Sequence, residues 1–521
     1  MQRSLFLSNN LPSSPNNGPT LVSHQTSNPL RQGEGDNPTA GGSHSWALAK
    51  SVSVLAVLIC GASLGASRMD SRVVRVEPNR RIQDLVEQFP EGTTIEIASG
   101  VHRLESVVPK DGDVFVGEPG AILSGAALLT TFERQGKYWV ARRSVPSVEA
   151  HGKCDPQHPA CTFPEDLFLD DVPLRRVLHL ADVTAHSWYL DYAAACLYLA
   201  DDPTSHKVEL SVVRHAFYGA ASHVTIRGLV IEKYANPAQT GAIHALRDPG
   251  PLSRDWVVER NEIRLNHGAG VRLGHGTQLL RNRIHHNGQL GVGGSGDSIR
   301  VEENEIAANN YAGYDMDWEA GGTKFSFTRH LVVRNNDVHD NRGPGLWTDG
   351  DNEFVLYEGN RSAANLAAGI KHEISFAAVI RDNVLDGDGF NPGGTSGWWG
   401  AGIHILSSSD VEIYRNTLRN CLNGIVAVQG DRASSRSSGG PYLVQHLYVH
   451  DNTILQSSGT AAGIVKDARF DDSVFKSWGN RFRHNAYQLA APQNKFYEWM
   501  NAPRTWEEWQ AFANDTGEVP R

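Results

Sequence analysis

With 521 residues, 40% of them hydrophobic, and a formal net charge of -10, the chain is long enough for two or three ordinary domains or for one elongated one. The acidic balance, with no Lys/Arg cluster able to follow a phosphate backbone, excludes nucleic acid as a partner. The 51 glycines suit a protein built of turns, and the sequence offers no zinc-ligand spacing, phosphate loop or evident protein partner.

Residues 1–45 are rich in Ser, Asn, Pro and Gly, too polar to bury a core, and are expected to form a disordered leader. Residues 46–69 carry an apolar run at 52–66, behind Lys50 and ahead of small residues. That is the shape of a secretory signal, and it is short for a membrane span. A secreted, extracellular protein is expected, with an uncleaved N-terminal anchor as the alternative.

Regular structure is expected to begin at 78–125. Residues 82–89 have helical apolar spacing and would cap the first coil; strand-like pieces follow at 93–97, 100–104, 113–116 and 121–123. Residues 126–213 lack any repeat, and a hairpin of 187–191 with 196–199 marks a small β insertion. Inside it, Cys154 and Cys161 flank a Pro-rich loop and could close a disulfide, in keeping with export. Cys196 and Cys421 read as buried single thiols.

From 214 to 490 two words recur in step. An Asn is followed nine positions later by a Gly that opens a short apolar strand: Asn261 and Gly270, Asn282 and Gly291, Asn304 and Gly313, Asn336 and Gly345, Asn360 and Gly369. Looser copies follow at Asn383 and Gly402, Asn416 and Gly424, Asn452 and Gly463. The basic unit is about 22 residues with occasional insertions, the signature of a solenoid. Three short strands per unit and no helical period make it a parallel β-helix. The Asn is expected to take the left-handed turn and to hydrogen-bond up the stack, and the Gly to avoid a Cβ clash. The chain closes at 491–521 with a C-terminal cap, in which Thr505 and Glu508 form a capping box ahead of a Trp506, Trp509, Phe512 stripe.

The repeat also aligns side chains. The residue after each Gly is apolar and points inward, so the second and fourth residues point outward. Up the stack the second position reads Arg272, Gly293, Asp315, Trp347, Lys371, His404, Val426, and the fourth Gly274, Ser295, Asp317, Asp349, Glu373, Leu406, Val428. Asp317, Asp349 and Glu373 should then stand about 4.8 Å apart, close enough to raise one another's pKa. Paired carboxylates at such spacing serve glycoside hydrolysis, and the same three could instead hold Ca²⁺. Lys371 could be a base or merely neutralise them; His404 faces outward with them, whereas His372 faces the core. Trp347 offers a face on which a sugar ring can stack. Three long insertions, including 386–399 with Trp398 and Trp399, adjoin these strands and would wall a cleft.

Residues 78–490, with their Asn ladder, Gly-opened strands and N-terminal helix, resemble the right-handed parallel β-helix (pectate-lyase-like) superfamily of polysaccharide lyases, polygalacturonase-type hydrolases and mannuronan epimerases. Gly345-Leu-Trp-Thr-Asp349, Gly369-Ile-Lys-His-Glu-Ile-Ser375 and Trp506-Glu-Glu-Trp-Gln510 look like a family of secreted bacterial β-helix proteins of unsettled function. The resemblance implies a right-handed solenoid with its cleft along the strand after the Gly. It does not extend to a pectate-lyase Arg motif or to the Asn-Thr-Asp word of polygalacturonases. The expectation is therefore an all-β, right-handed parallel β-helix with capping helices at both ends, acting on a polysaccharide. Asp317, Asp349, Glu373, Lys371 and His404 would be its catalytic groups, and Trp347, Asp315, Arg272, Trp398 and Trp399 its substrate contacts. A glycoside hydrolase without cofactor is the leading reading. The alternatives are a Ca²⁺-assisted lyase or epimerase, with Asp317, Asp349 and Glu373 on the metal, and a non-catalytic carbohydrate-binding or adhesion solenoid.

Overall fold

The computed structural model describes residues 73–145, 150–246, 250–391, 400–432, 434–437, 440–491 and 494–516. The expected leader (1–45) and signal segment (46–69), with Trp398 and Trp399, lie outside the described residues. Each coil of the chain passes once through each of three long sheets, as Val257–Glu259, Glu262–Arg264 and Ala269–Leu273 do. The first sheet has 13 strands and the other two 12 each. Neighbours are parallel, except for the closing hairpin of Tyr497–Trp499 with Ala502–Arg504. Inward residues stack in rows, Val258, Leu279, Val301 and Val333 in the first sheet and Ile263, Ile284, Ile306 and Val338 in the second, all fully buried. Each such side chain contributes about 2 kcal/mol by leaving water.

Two asparagine ladders run along the turns. Both the backbone N–H and the side-chain amide of Asn282 donate to Oδ1 of Asn304, at 2.9 and 3.0 Å. The same amide also donates to the carbonyl of Val258 in the coil below. This pattern continues through Asn336, Asn360, Asn383, Asn416, Asn452 and Asn485 to the carboxylate of Asp515. A second ladder climbs Asn266, Asn287, Asn309, Asn341 and Asn365 and ends on Asp388. The left-handed residue is not the asparagine, as the sequence had suggested, but the one before it. Arg281 (φ 56°), Glu303 (58°) and Asn335 (54°) precede the first ladder; His286 (51°), Ala308 (51°) and Ala364 (53°) precede the second. The asparagine keeps an ordinary backbone because its task is to accept and donate along the stack, and those bonds hold its neighbour in the costly conformation.

A glycine ladder opens the third sheet. A Cβ on Gly291 would stand 2.8 Å from the carbonyl oxygen of Gly322, one on Gly322 2.4 Å from that of Gly345, and one on Gly345 2.9 Å from that of Gly369. The ladder therefore passes through Gly322 and not through Gly313. The register agrees: Val292 pairs with Thr323, Gly293 with Lys324 and Phe325 with Thr348. In this coil the inserted residues come before the third-sheet strand Gly321–Arg329, and they contain the short helix Met316–Glu319. Asp315 and Asp317 thus leave the strand on which spacing alone had set them. The nine-residue interval from Asn304 to Gly313 is coincidental.

Between Ala121–Ser124 of the second sheet and Phe217–Tyr218 of the third, the chain builds an antiparallel sheet of four strands and a sheet of five, antiparallel except where Arg175–Arg176 runs parallel to Ser187–Asp191. They close over their own core of Leu167, Trp188, Leu197 and Leu210. Lys233, fully buried on the solenoid, pairs with Asp171 and Glu209 and ties this insertion down. Helix Ile82–Gln88 buries Ile82, Leu85 and Val86 at the first coil. Helix Trp506–Ala511, with the Thr505–Glu508 capping box, lays Trp506 and Trp509 on Tyr497 at the last.

Candidate active site

The outward face of the third sheet carries a charged group. Through the observed register the second-position column reads Arg272, Gly293, Lys324, Trp347, Lys371, His404, Val426. Asp349 stands directly opposite Glu373 on the neighbouring strand. The column is more basic than the sequence alignment made it, because Lys324 takes the rung assigned to Asp315.

This face is roofed over. Lys371 is 7% exposed, Glu373 4%, Trp347 1% and His404 fully buried. One cover is the helix Met316–Glu319. Its Glu319 pairs with Lys324 (3.4 Å) and lies 3.9 Å from Arg272. The other is the segment after Gln429, whose Arg432 pairs with Glu373. Asp351 fastens that segment by accepting from Ser435 Oγ (2.6 Å), Tyr442 Oη (2.8 Å) and the backbone N–H groups of Arg436 and Ser437.

The two facing carboxyls titrate in opposite directions. Burial pushes Asp349 up and the charge of Glu373 adds to this, while Lys324, 2.9 Å from its Oδ2, opposes. Burial would raise Glu373 too, but Lys371, Arg432 and Lys324 outweigh it and hold this carboxyl well below its ordinary value. Lys371 Nζ sits 2.8 Å from Glu373 Oε2, and Trp347 Nε1 donates to the same oxygen at 3.2 Å. Burial lowers His404 to about 3, with Lys371 adding to the effect, so its ring is neutral at ordinary pH.

Trp347 is not open for stacking. The ammonium groups of Lys324 and Lys371 lie 4.3 and 4.5 Å from its ring centroid, as cation–π partners in a desolvated setting. His372 faces the core and bonds Thr348 Oγ1 at 2.7 Å. Asp315 caps the short helix, accepting from the N–H of Asp317 (2.9 Å), and pairs with Lys153 at 2.5 Å. Asp317 is carried by the helix to the edge of the group. Its carboxyl is raised by partial burial and by Asp315 and Glu373, against Lys371 and Lys153. Cys154 and Cys161 are joined in a disulfide beside this helix.

The donor set does not fit Ca²⁺. Such an ion needs six or more oxygens around one point, whereas both oxygens of Glu373 and Oδ2 of Asp349 already face ammonium, guanidinium or indole donors. Among the described residues no three His, Cys, Asp or Glu side chains converge as a metal site would require.

Sequence reasoning missed Lys324, Glu319 and Arg432. Lys324 had a signal, since Gly322-Thr-Lys324 repeats the Gly-x-Lys order of Gly369-Ile-Lys371. Arg432 had none beyond its place in a long insertion.

With this geometry the fold is that of a right-handed parallel β-helix. Residues 252–418 match the family model described as a right handed beta helix region. The chain is similar to XylC, solved in complex with xylose, at 15% identity and a TM-score of 0.58, covering 83% of this chain and 85% of that one. A glycoside hydrolase (10% identity, TM-score 0.45, 79% and 99% covered) and the A-module of mannuronan C-5 epimerase AlgE4 of Azotobacter vinelandii (13%, 0.45, 78% and 87%) are more distant. No curated protein matches the chain. At these identities the likeness speaks for the fold alone.

Proposed function

We propose that this protein is a secreted polysaccharide-active enzyme, a glycoside hydrolase whose carboxyl pair is Asp349 and Glu373. One observation carries the reading: two carboxyls on adjacent rungs, one raised and one lowered, which is how a site separates its acid from its ionised partner. Asp349 would give its proton to the leaving glycosidic oxygen while Glu373 supports the anomeric carbon. Rungs about 4.8 Å apart suit a retaining route through a glycosyl–enzyme bond. Lys371 and Trp347 orient Glu373, and neutral His404 lines the same face. For a glycan to enter, Arg432 must swing off Glu373. The apolar run at 52–66 supports export.

A second reading draws on the convergence of Lys324, Lys371 and Arg432. Three cations beside Glu373 could hold the carboxylate of a uronate, with elimination rather than hydrolysis as the outcome. The test is incubation with neutral and uronic polysaccharides, following reducing ends and the ultraviolet absorbance of unsaturated uronates together. New reducing ends without absorbance are expected, unchanged by chelator, and abolished in Asp349→Asn with the β-sheet circular dichroism intact. Absorbance growing with reducing ends would replace hydrolysis by elimination. Undiminished turnover in Asp349→Asn, or silence across the panel, would remove the assignment.

A further inference from the structure

The insertion and the turns at His267 and Tyr311 line a cavity of about 890 Å³. This is within the range of small-molecule sites. One wall is apolar, with Phe163, Leu174 and Leu178 among its residues. The floor is polar and ordered. Asp166, 7% exposed, receives through Oδ2 a hydrogen bond from Tyr311 Oη (2.7 Å) and one from His267 Nδ1 (3.0 Å). His267 Nε2 lies 2.8 Å from the carbonyl of Cys161 and 3.1 Å from Tyr314 Oη, so the ring is held at both nitrogens. Burial alone would lower the histidine; Asp166 and the Cys161 carbonyl reverse this and raise it. Oδ1 of Asp166 takes no bond from any described group, which leaves an acceptor at the floor of a cavity the charged column does not share.

An apolar wall facing a fixed carboxylate, a phenol and the imidazole of His179 matches a molecule with one C–H face and a rim of hydroxyls. We propose that this cavity is a second binding site, for a short saccharide, separate from the Asp349–Glu373 pair. Asp166 Oδ1 accepts a hydroxyl there, and the ring lies against Leu174, Leu178 and Phe163. The insertion, which the solenoid does not need for its coils, supplies most of the wall.

The experiment is equilibrium titration of the full chain with short neutral and uronic oligosaccharides, in wild type and in Leu178→Trp. The tryptophan fills the cavity from a position already 36% exposed, so the fold should survive. Binding of one oligosaccharide class is expected, weakened about tenfold or more by Leu178→Trp and also reduced by Tyr311→Phe. Binding unmoved by Leu178→Trp overturns the proposal, as does failure of every oligosaccharide to bind. Asp349→Asn should leave this binding unchanged, which separates failure of this site from failure of the proposed hydrolase.

Discussion

At Asp388 a carboxylate stands where five lower coils place an asparagine. Its Oδ1 accepts both donors of Asn365 at 2.9 Å, as an amide oxygen would. Burial raises its carboxyl to about 7, so at neutral pH it remains partly protonated and imitates the amide. In an unfolded chain the same group titrates near its ordinary value of about 3.9. Its contribution to stability is therefore complete below about pH 4 and is lost as the pH rises through about 7. Asp388→Asn should remove that dependence and raise stability at pH 8 by a few kcal/mol, on the order of 4 at most from the span of the two values. Urea unfolding at pH 5 and pH 8 measures this. Equal pH sensitivity in the two proteins would mean that Asp388 is charged in the folded state.

Among the elements, the turns before the ladder asparagines reverse an ordinary expectation. A substitution to glycine usually weakens a structure through the unfolded chain, but here the residue before each Asn holds a positive φ that costs an L-residue about 1 kcal/mol or more. Ala364 (φ 53°) is exposed and precedes Asn365; the equivalent residues ahead of Asn360 and Asp388 are already Gly359 and Gly387. Ala364→Gly should stabilise by about 0.5 kcal/mol and Ala364→Val destabilise by about 1 kcal/mol, read from denaturant midpoints. A loss in Ala364→Gly would show that the turn is not under strain. These turns also mark the limit of what the sequence revealed. The ladders and their period were legible because each coil repeats one set of hydrogen bonds and tolerates little else. The site was legible where coils had the basic length, so Asp349, Glu373 and Lys371 could be set on one face. It failed at Asp315 and Asp317, where an insertion upstream of the strand kept a nine-residue interval to the wrong glycine. The roof was not legible at all, since Arg432 and Asp351 meet their partners across long insertions that no period governs.

On the scale of the whole molecule, the insertion braces the roof of the site from outside the solenoid. Its disulfide loop lies against the segment that carries the short helix. Asp155 N–H donates to the carbonyl of Gly313 and Asp315 N–H to that of Lys153, both at 2.9 Å, while Tyr314 and Trp318 pack with Cys154 and Cys161. That helix in turn holds Glu319 on Lys324 and carries Asp317 toward Lys371 and Glu373. The Cys154–Cys161 link encloses a short loop, so its removal should cost only about 2 kcal/mol of global stability, small beside the burial in the stacked coils. The consequence for the site is larger, because one face of its cover loses its support. Cys154→Ser with Cys161→Ser should therefore lower turnover about tenfold or more at a temperature where the β-sheet signal is unchanged, and should soften the dependence on Asp317. Thermal melting and turnover measured side by side test this. A turnover that merely follows the folded fraction would confine the disulfide to the insertion and leave the roof to the solenoid alone.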